Sequence, residues 1–181
     1  MGLFNFFSRK EASAKPAVTD RIWMHEAGKI NGCMQLLQQF PQAVLLAWFP
    51  ESQLRWQSVL EQTGISRQVM LARSTSALQL ANKTIILLEH YPIASKEETF
   101  LQSLQQQEIY VLGSLDEPIF SQFGGERIID MMRRMGIRED EPVQHKLITQ
   151  SLQNAQRKLE KKVTMEQTSH SMKEWFVKNI K

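Results

Sequence analysis

The apolar positions of this chain fall into short runs separated by longer amphipathic stretches. VLLAWF (Val44 to Phe49) is an unbroken apolar run, and RQVMLA (Arg67 to Ala72), KTIILLE (Lys83 to Glu89) and EIYVLGS (Glu108 to Ser114) are apolar centres with polar borders. Runs of this length predict strands covered on both faces, as parallel strands are. Between them the apolar spacing changes to steps of three and four. Trp23, Ala27, Ile30, Met34 and Leu37 mark one helical stripe, closed by Pro41. Leu54, Val59 and Leu60 mark a second over Glu51 to Gln62, with Gly64 placed for a left-handed cap, and Phe100, Leu101 and Leu104 mark a third. Such alternation predicts an α/β fold: an open, mostly parallel sheet of about four to five strands with flanking crossover helices.

After Ser114 the periodicity is helical only. Ile128, Met131, Met132 and Met135 share a face of a helix over Arg127 to Met135, Gly136 ends it, and REDEP is a charged turn. Ile148, Leu152, Ala155 and Leu159 predict a longer helix over His145 to Val163, with Arg157, Lys158, Lys161 and Lys162 complementing the dipole at its C-terminal end. A last segment carries Met172, Trp175, Phe176 and Ile180 at helix spacing. Trp175 and Phe176 either fold back onto the body or anchor a partner, as residues of their type do at binding hot spots. Spacing leaves both alternatives open. The organisation read from these patterns is an N-terminal segment over 1–17, an α/β domain over 18–163 and a helical tail over 164–181.

Composition narrows the chemistry. A chain of 181 residues predicts one compact domain with a core that needs neither disulfide nor metal. Its single cysteine, Cys33, lies on the apolar stripe of the first helix and reads as a buried, inert thiol in a cytoplasmic protein. The longest apolar run, Ala43 to Phe49, is seven residues against the roughly twenty that span a bilayer. MGLFNFFSRK lacks the organisation of a secretory signal. Its Phe4, Phe6 and Phe7, followed by Arg9 and Lys10, suit a weak contact with a membrane surface or a partner groove, and Glu11 to Ala17 reads as a linker.

His25, His90, His145 and His170 are scattered without ligand spacing, so no metal is expected. The adjacent Glu97 and Glu98 read as solvated acids, and the methionine stripe of Met131, Met132 and Met135 as core. Arg133 and Arg134 are candidate partner contacts. The net charge of +3 is mild, and no aromatic residues are interleaved with the basic ones, so nucleic acid is not expected as a partner. FGGER, Phe123 to Arg127, poses a choice: glycines before a helix can cradle a phosphate or can turn a corner.

Ile109 to Val163 resembles the end of the second nucleotide-binding domain of the SecA family of preprotein translocase ATPases, where it runs into a helical scaffold. The positions that carry the likeness are Tyr110, Asp116, Phe123, Gly124, Gly125, Arg133, Arg134, Gly136, Glu141, Pro142 and the run Asn154, Ala155, Gln156, Arg157 and Lys158. Val44 to Ser74 is similar to that family's preceding strand, helix and strand, through Thr63, Gly64, Ile65, Gln68, Val69 and Ala72. Glu89 and His90 match its Glu-Arg-His segment. The likeness covers roughly residues 20–163 and implies a RecA-like, helicase-type C-terminal lobe.

Departures from the family shape the functional expectation. No G-x-x-x-x-G-K-[ST] loop is present, nor a strand ending in paired acids for magnesium. The segment between RQVMLARS and IILLEHYP is shorter than in the family and lacks its Gly-Arg-Gly motif. KEETFLQSLQQQ stands where the arginine-rich motif belongs, and contains no arginine. An arginine at that place is commonly worth a thousandfold or more in rate. The resemblance therefore implies a lobe that does not hydrolyse ATP alone, with no catalytic residue and no cofactor of its own. It acts instead as an interaction module for a protein partner, a translocation component or another ATPase lobe, in the cytoplasm or at the inner face of the membrane. Phe123, Gly124 and Gly125 then form a structural corner. The alternative is a small-ligand or nucleotide-binding regulator or enzyme using the crevice at the carboxyl ends of the strands.

Overall fold

The computed structural model describes residues 16–104, 108–143 and 146–180, with the backbone alone at 146 and 147. Strands and helices alternate as β1 (Ala17–Trp23), α1 (Glu26–Gln39), β2 (Val44–Ala47), α2 (Pro50–Gln62), β3 (Val69–Leu71), α3 (Ala77–Leu80), β4 (Ile85–Leu87), α4 (Ala94–Ser103) and β5 (Glu108–Ser114). The five strands form one parallel sheet in the order β1-β5-β4-β2-β3. This is the open α/β sheet that the apolar runs predict.

One strand departs from the pattern-based expectation. Trp23, which spacing assigns to the first helix, ends β1, and this strand pairs along its whole length with β5. AVTDRIW has no apolar run, and it is buried only at Ile22 and Trp23. Its polar positions still find partners: the Arg21 guanidinium lies 4.9 Å from the centroid of the Tyr110 ring. That arrangement is a cation–π contact at an edge.

Alternate residues of the central strands feed opposite core layers. Leu45, Ala47, Ile86, Leu88, Tyr110 and Leu112 meet Cys33, Leu36 and Leu37 of α1 and Trp56 and Leu60 of α2. Leu46, Ile85, Leu87, Ile109 and Val111 meet Leu80 of α3 and, beside α4, Leu104. Right-handed crossovers produce this division, since moving one way along the sheet places a helix on one face and moving back places it on the other.

Beyond β5 the chain is helical: α5 (Pro118–Ser121), α6 (Gly125–Arg134), α7 (Lys146–Glu160) and α8 (Met172–Asn179). These helices close over the carboxyl end of the sheet. Met172, Trp175 and Phe176 of α8 join Ile119, Phe120, Ile129, Met132, Leu152 and Leu159 in one cluster that reaches Ile22 of β1 and Phe49 at the start of α2. The fold-back alternative is thus the one observed, and 164–180 shares a core with the body rather than trailing from it. No described helix is long and apolar enough to cross a membrane.

Candidate functional site at the carboxyl ends of the strands

Neighbouring strands β2 and β4 send their following helices to opposite faces, since α2 lies in one core layer and α4 in the other. A crevice opens between such strands at their carboxyl ends, and open α/β sheets bind ligands there. The helix N-termini bordering it carry unpaired N–H groups suited to a phosphate. In this chain its own carboxylates take those groups. Glu89, two residues past β4, accepts from the N–H of Trp48 at 2.9 Å, the N–H of Phe49 at 3.1 Å and the hydroxyl of Ser52 at 2.6 Å, at the start of α2. Asp116 accepts from the N–H of Glu26 at 3.2 Å, and His25 Nδ1 stands 3.3 Å from the same oxygen, at the start of α1. Glu160, from the end of α7, accepts from the N–H of Ser95 at 3.3 Å and from its hydroxyl, at the start of α4. Helices α1, α2 and α4 each open onto an internal acid.

A buried cation balances part of this charge. Lys29 projects from α1, donates to the carbonyl of Leu88 at 3.0 Å and forms an ion pair with Glu117. Burial works to lower its pKa, but the charge and hydrogen bond of Glu117 outweigh burial and raise it. Burial likewise pushes the Glu89 carboxyl up to about 7, against the Ser52 hydrogen bond and the Lys29 charge.

A second buried polar group lies behind the first. His90 is 3% exposed, its Nδ1 stands 3.1 Å from Glu97 Oε1, and its Nε2 is 4.0 Å from Asp20 Oδ1. Burial opposes the imidazolium, yet Glu97 first, then Asp20 and Glu117, raise its pKa to about 9. The Nδ1–H therefore donates to Glu97. Gln156 of α7 completes the group, donating to Glu97 and, at 2.7 Å, to the carbonyl of Tyr91. Glu97 is thus buried rather than solvated: its neighbour Glu98 takes the exposed side of α4, while Glu97 holds a histidine, a backbone N–H and an amide.

Two clefts flank the crevice. One of about 320 Å³, on the α1 and α2 side, is lined by acids that include Glu26, Glu51, Glu89 and Glu117, together with Lys29, Arg55 and Lys173. The other, of about 290 Å³, is walled by Trp48, Phe49, Tyr91 and Trp175, with Arg73 and Lys96 among its polar residues. Trp48 packs on Tyr91 with ring centroids 4.9 Å apart. Glu166 closes this side by accepting from the Tyr91 hydroxyl and the Trp175 indole N–H and pairing with Lys96.

The residues singled out from sequence are dispersed. Gly124 has φ 86° in the left-handed region, and a Cβ on Gly125 would stand 2.2 Å from the carbonyl oxygen of Leu115. One glycine supplies a positive φ and the other a close approach, so Phe123 to Gly125 form a corner. Arg133 is half-exposed and already engaged with Glu139 at 2.9 Å and His25 at 2.9 Å, whereas Arg134 is exposed. Trp175 and Phe176 are 1% and 8% exposed, and in this arrangement they are not surface anchors. Phe4, Phe6 and Phe7 lie outside the described residues, as does His145. The methionine stripe divides: Met132 is buried, while Met131 and Met135 are exposed, because the helix shows only one side to the core. Cys33 is fully buried, and burial pushes its thiol up to about 12. Among the described residues no group of His, Cys, Asp and Glu has the arrangement of a metal site.

Lys29, Glu89, Glu97, Glu117 and Glu160 are the polar residues that periodicity does not single out. For Glu89 a signal exists, since an acid directly after a fully apolar strand falls at the carboxyl edge where a following helix starts. For Lys29 and Glu160, on amphipathic helices, there is none.

No family model matches the chain. Over 47 residues, 26% of this chain, it is 47% identical to protein translocase subunit SecA of Acinetobacter baylyi and equally to that of Acinetobacter baumannii. The protein translocase subunit SecA of Psychrobacter cryohalolentis is 45% identical over the same length. The matched segment spans 5% of each of those proteins. The chain is therefore similar to protein translocase subunit SecA over about a quarter of its own length and a small part of theirs.

Proposed function

We propose that this chain is a non-catalytic interaction module derived from a SecA-type motor lobe, serving a protein partner in translocation from the cytoplasmic side. One observation carries the reading. Glu89, Asp116 and Glu160 occupy the helix N-termini at the carboxyl end of the sheet, so a phosphate would meet carboxylates there rather than free N–H groups. The absence of a Walker loop and of an arginine-rich motif from the sequence supports the same reading. A partner is left with the exposed outer surface, where Arg134 is presented on α6.

Steady-state phosphate release and calorimetry with the purified full chain test the proposal together. We expect no ATP turnover above the buffer rate and no heat from ATP, ADP or GTP at millimolar concentration. Crosslinked capture by the same chain should enrich translocase subunits over an unrelated α/β protein. ATP turnover at enzyme-like rates would sink the proposal, and absence of translocase subunits from the captured proteins would remove its link to translocation.

A further inference from the structure

The cleft between Trp48, Tyr91 and α8 combines features that the folded core does not use. Its walls include two partly exposed aromatic residues, Trp48 and Tyr91, which pack on one another, while Phe49 and Trp175 lie buried behind them. Its cations are unequal. Lys96 is neutralised by Glu166, whereas Arg73, exposed on the 3₁₀ turn after β3, pairs with no described carboxylate. Arg73 lines the cleft together with Trp48 and Tyr91.

We propose that this cleft binds a small planar anion, an aromatic carboxylate whose ring lies on Trp48 and Tyr91 and whose carboxylate meets Arg73. Aromatic faces hold a ring by offset or edge packing, and guanidinium is the planar donor that matches a carboxylate. Size selects within that class. At about 290 Å³ the cleft sits at the low end of ligand pockets, which suits a one- or two-ring acid rather than a nucleoside triphosphate. Charge selects as well: the neighbouring cleft sets Lys29, Arg55 and Lys173 among the more numerous acids Glu26, Glu51, Glu89, Asp116 and Glu117, and that acidic excess favours the aromatic side for an anion. The site does not depend on the translocation reading, and either can fail without the other.

Naphthoate is the probe, titrated into the full chain by calorimetry at pH 7, with naphthalenemethanol as its neutral counterpart. We expect saturable binding of one naphthoate per chain. Arg73→Gln should weaken it about tenfold or more, the usual worth of a charge-assisted hydrogen bond, while Arg127→Gln, exposed on α6, leaves it unchanged. Naphthalenemethanol should bind the native chain no better than naphthoate binds Arg73→Gln. With fluorotryptophan incorporated, the fluorine resonance missing from Trp48→Phe should be the one that shifts on binding. No saturable heat, equal affinity in Arg73→Gln, or a shift confined to the other tryptophans would overturn the proposal. Binding of ATP but not of naphthoate would overturn it in favour of a nucleotide site.

Discussion

His90 is held as an imidazolium by Glu97, with Asp20 and Glu117 adding to the field, and the consequence is measurable. Its native pKa of about 9 lies above the unfolded value of about 6.5, so the native state binds the proton more tightly. That stabilisation is complete below about pH 6.5 and is lost as pH rises towards 9. Glu89, raised to about 7, works in the same direction over the range from its unfolded value to about 7, because its ionised form is the costlier one in the fold. Glu166 sets the acid limit. Burial opposes its ionisation, but hydrogen bonds from Lys96, Tyr91 and Trp175 hold its carboxyl below the usual range, so its contribution is lost in strong acid. Urea unfolding followed across pH should therefore show a maximum on the acid side of neutrality and a steady decline to pH 9. His90→Gln should remove the decline between about 7 and 9 while leaving the part due to Glu89 below it, and a ring titration by NMR on the native chain should place the midpoint well above that of an exposed histidine. A ring that titrates near 6.5 contradicts the imidazolium.

Single elements show which features the sequence makes legible. The runs at β2, β4 and β5 predict strands because both faces are buried, and burial on two sides leaves no polar positions to break the run, whereas β3, at one edge, is buried at Val69 and half-buried at Met70 and Leu71. Edge strand β1 keeps Thr19, Asp20 and Arg21 and is read only once its partner β5 is known. The aromatic cleft joins Trp48 after β2, Tyr91 after β4 and Trp175 in α8, contacts made by topology that no local spacing encodes. The corner before α6 is a mixed case, because paired glycines are visible in sequence but their separate roles are not. Those roles predict an order of effects. Gly124→Ala should cost about 1–2 kcal/mol for a left-handed residue with a Cβ in open space, and Gly124→Asn less. Gly125→Ala sets a Cβ against the backbone carbonyl of Leu115, which cannot rotate away, and should cost about 1–3 kcal/mol or more through displacement of α6 from β5. Chemical denaturation of the variants checks the ranking. If Gly125→Ala proves as mild as Gly124→Ala, close approach is not what fixes that glycine.

For the whole molecule, the last helix has more to do with stability than its position in the chain suggests. The likeness to SecA read from the sequence ends near Val163, and a tail beyond it looks separable. Packing says otherwise: Trp175 is fully buried, Met172 and Phe176 nearly so, and the backbone N–H of Glu51 donates to the carbonyl of His170 at 3.0 Å. Glu166 ties the tail to the ends of β4 and α4 through Tyr91 and Lys96. Burial of three large side chains contributes roughly 1.5–3 kcal/mol each, a sum comparable with the roughly 5–15 kcal/mol that stabilises a domain. A chain ending at residue 163 should accordingly lose its cooperative thermal transition and its near-ultraviolet dichroism, while Lys173→Ala, which removes an exposed charge from the same helix, should leave both intact. A truncated chain that melts cooperatively within a few degrees of the full one would show that α8 is an accessory. If the transition is lost, failure of the truncated chain to capture a partner says nothing about where that partner binds. The proposed interaction surface has then to be tested by exposed single substitutions such as Arg134→Glu, in which the fold and its buried carboxylates remain in place.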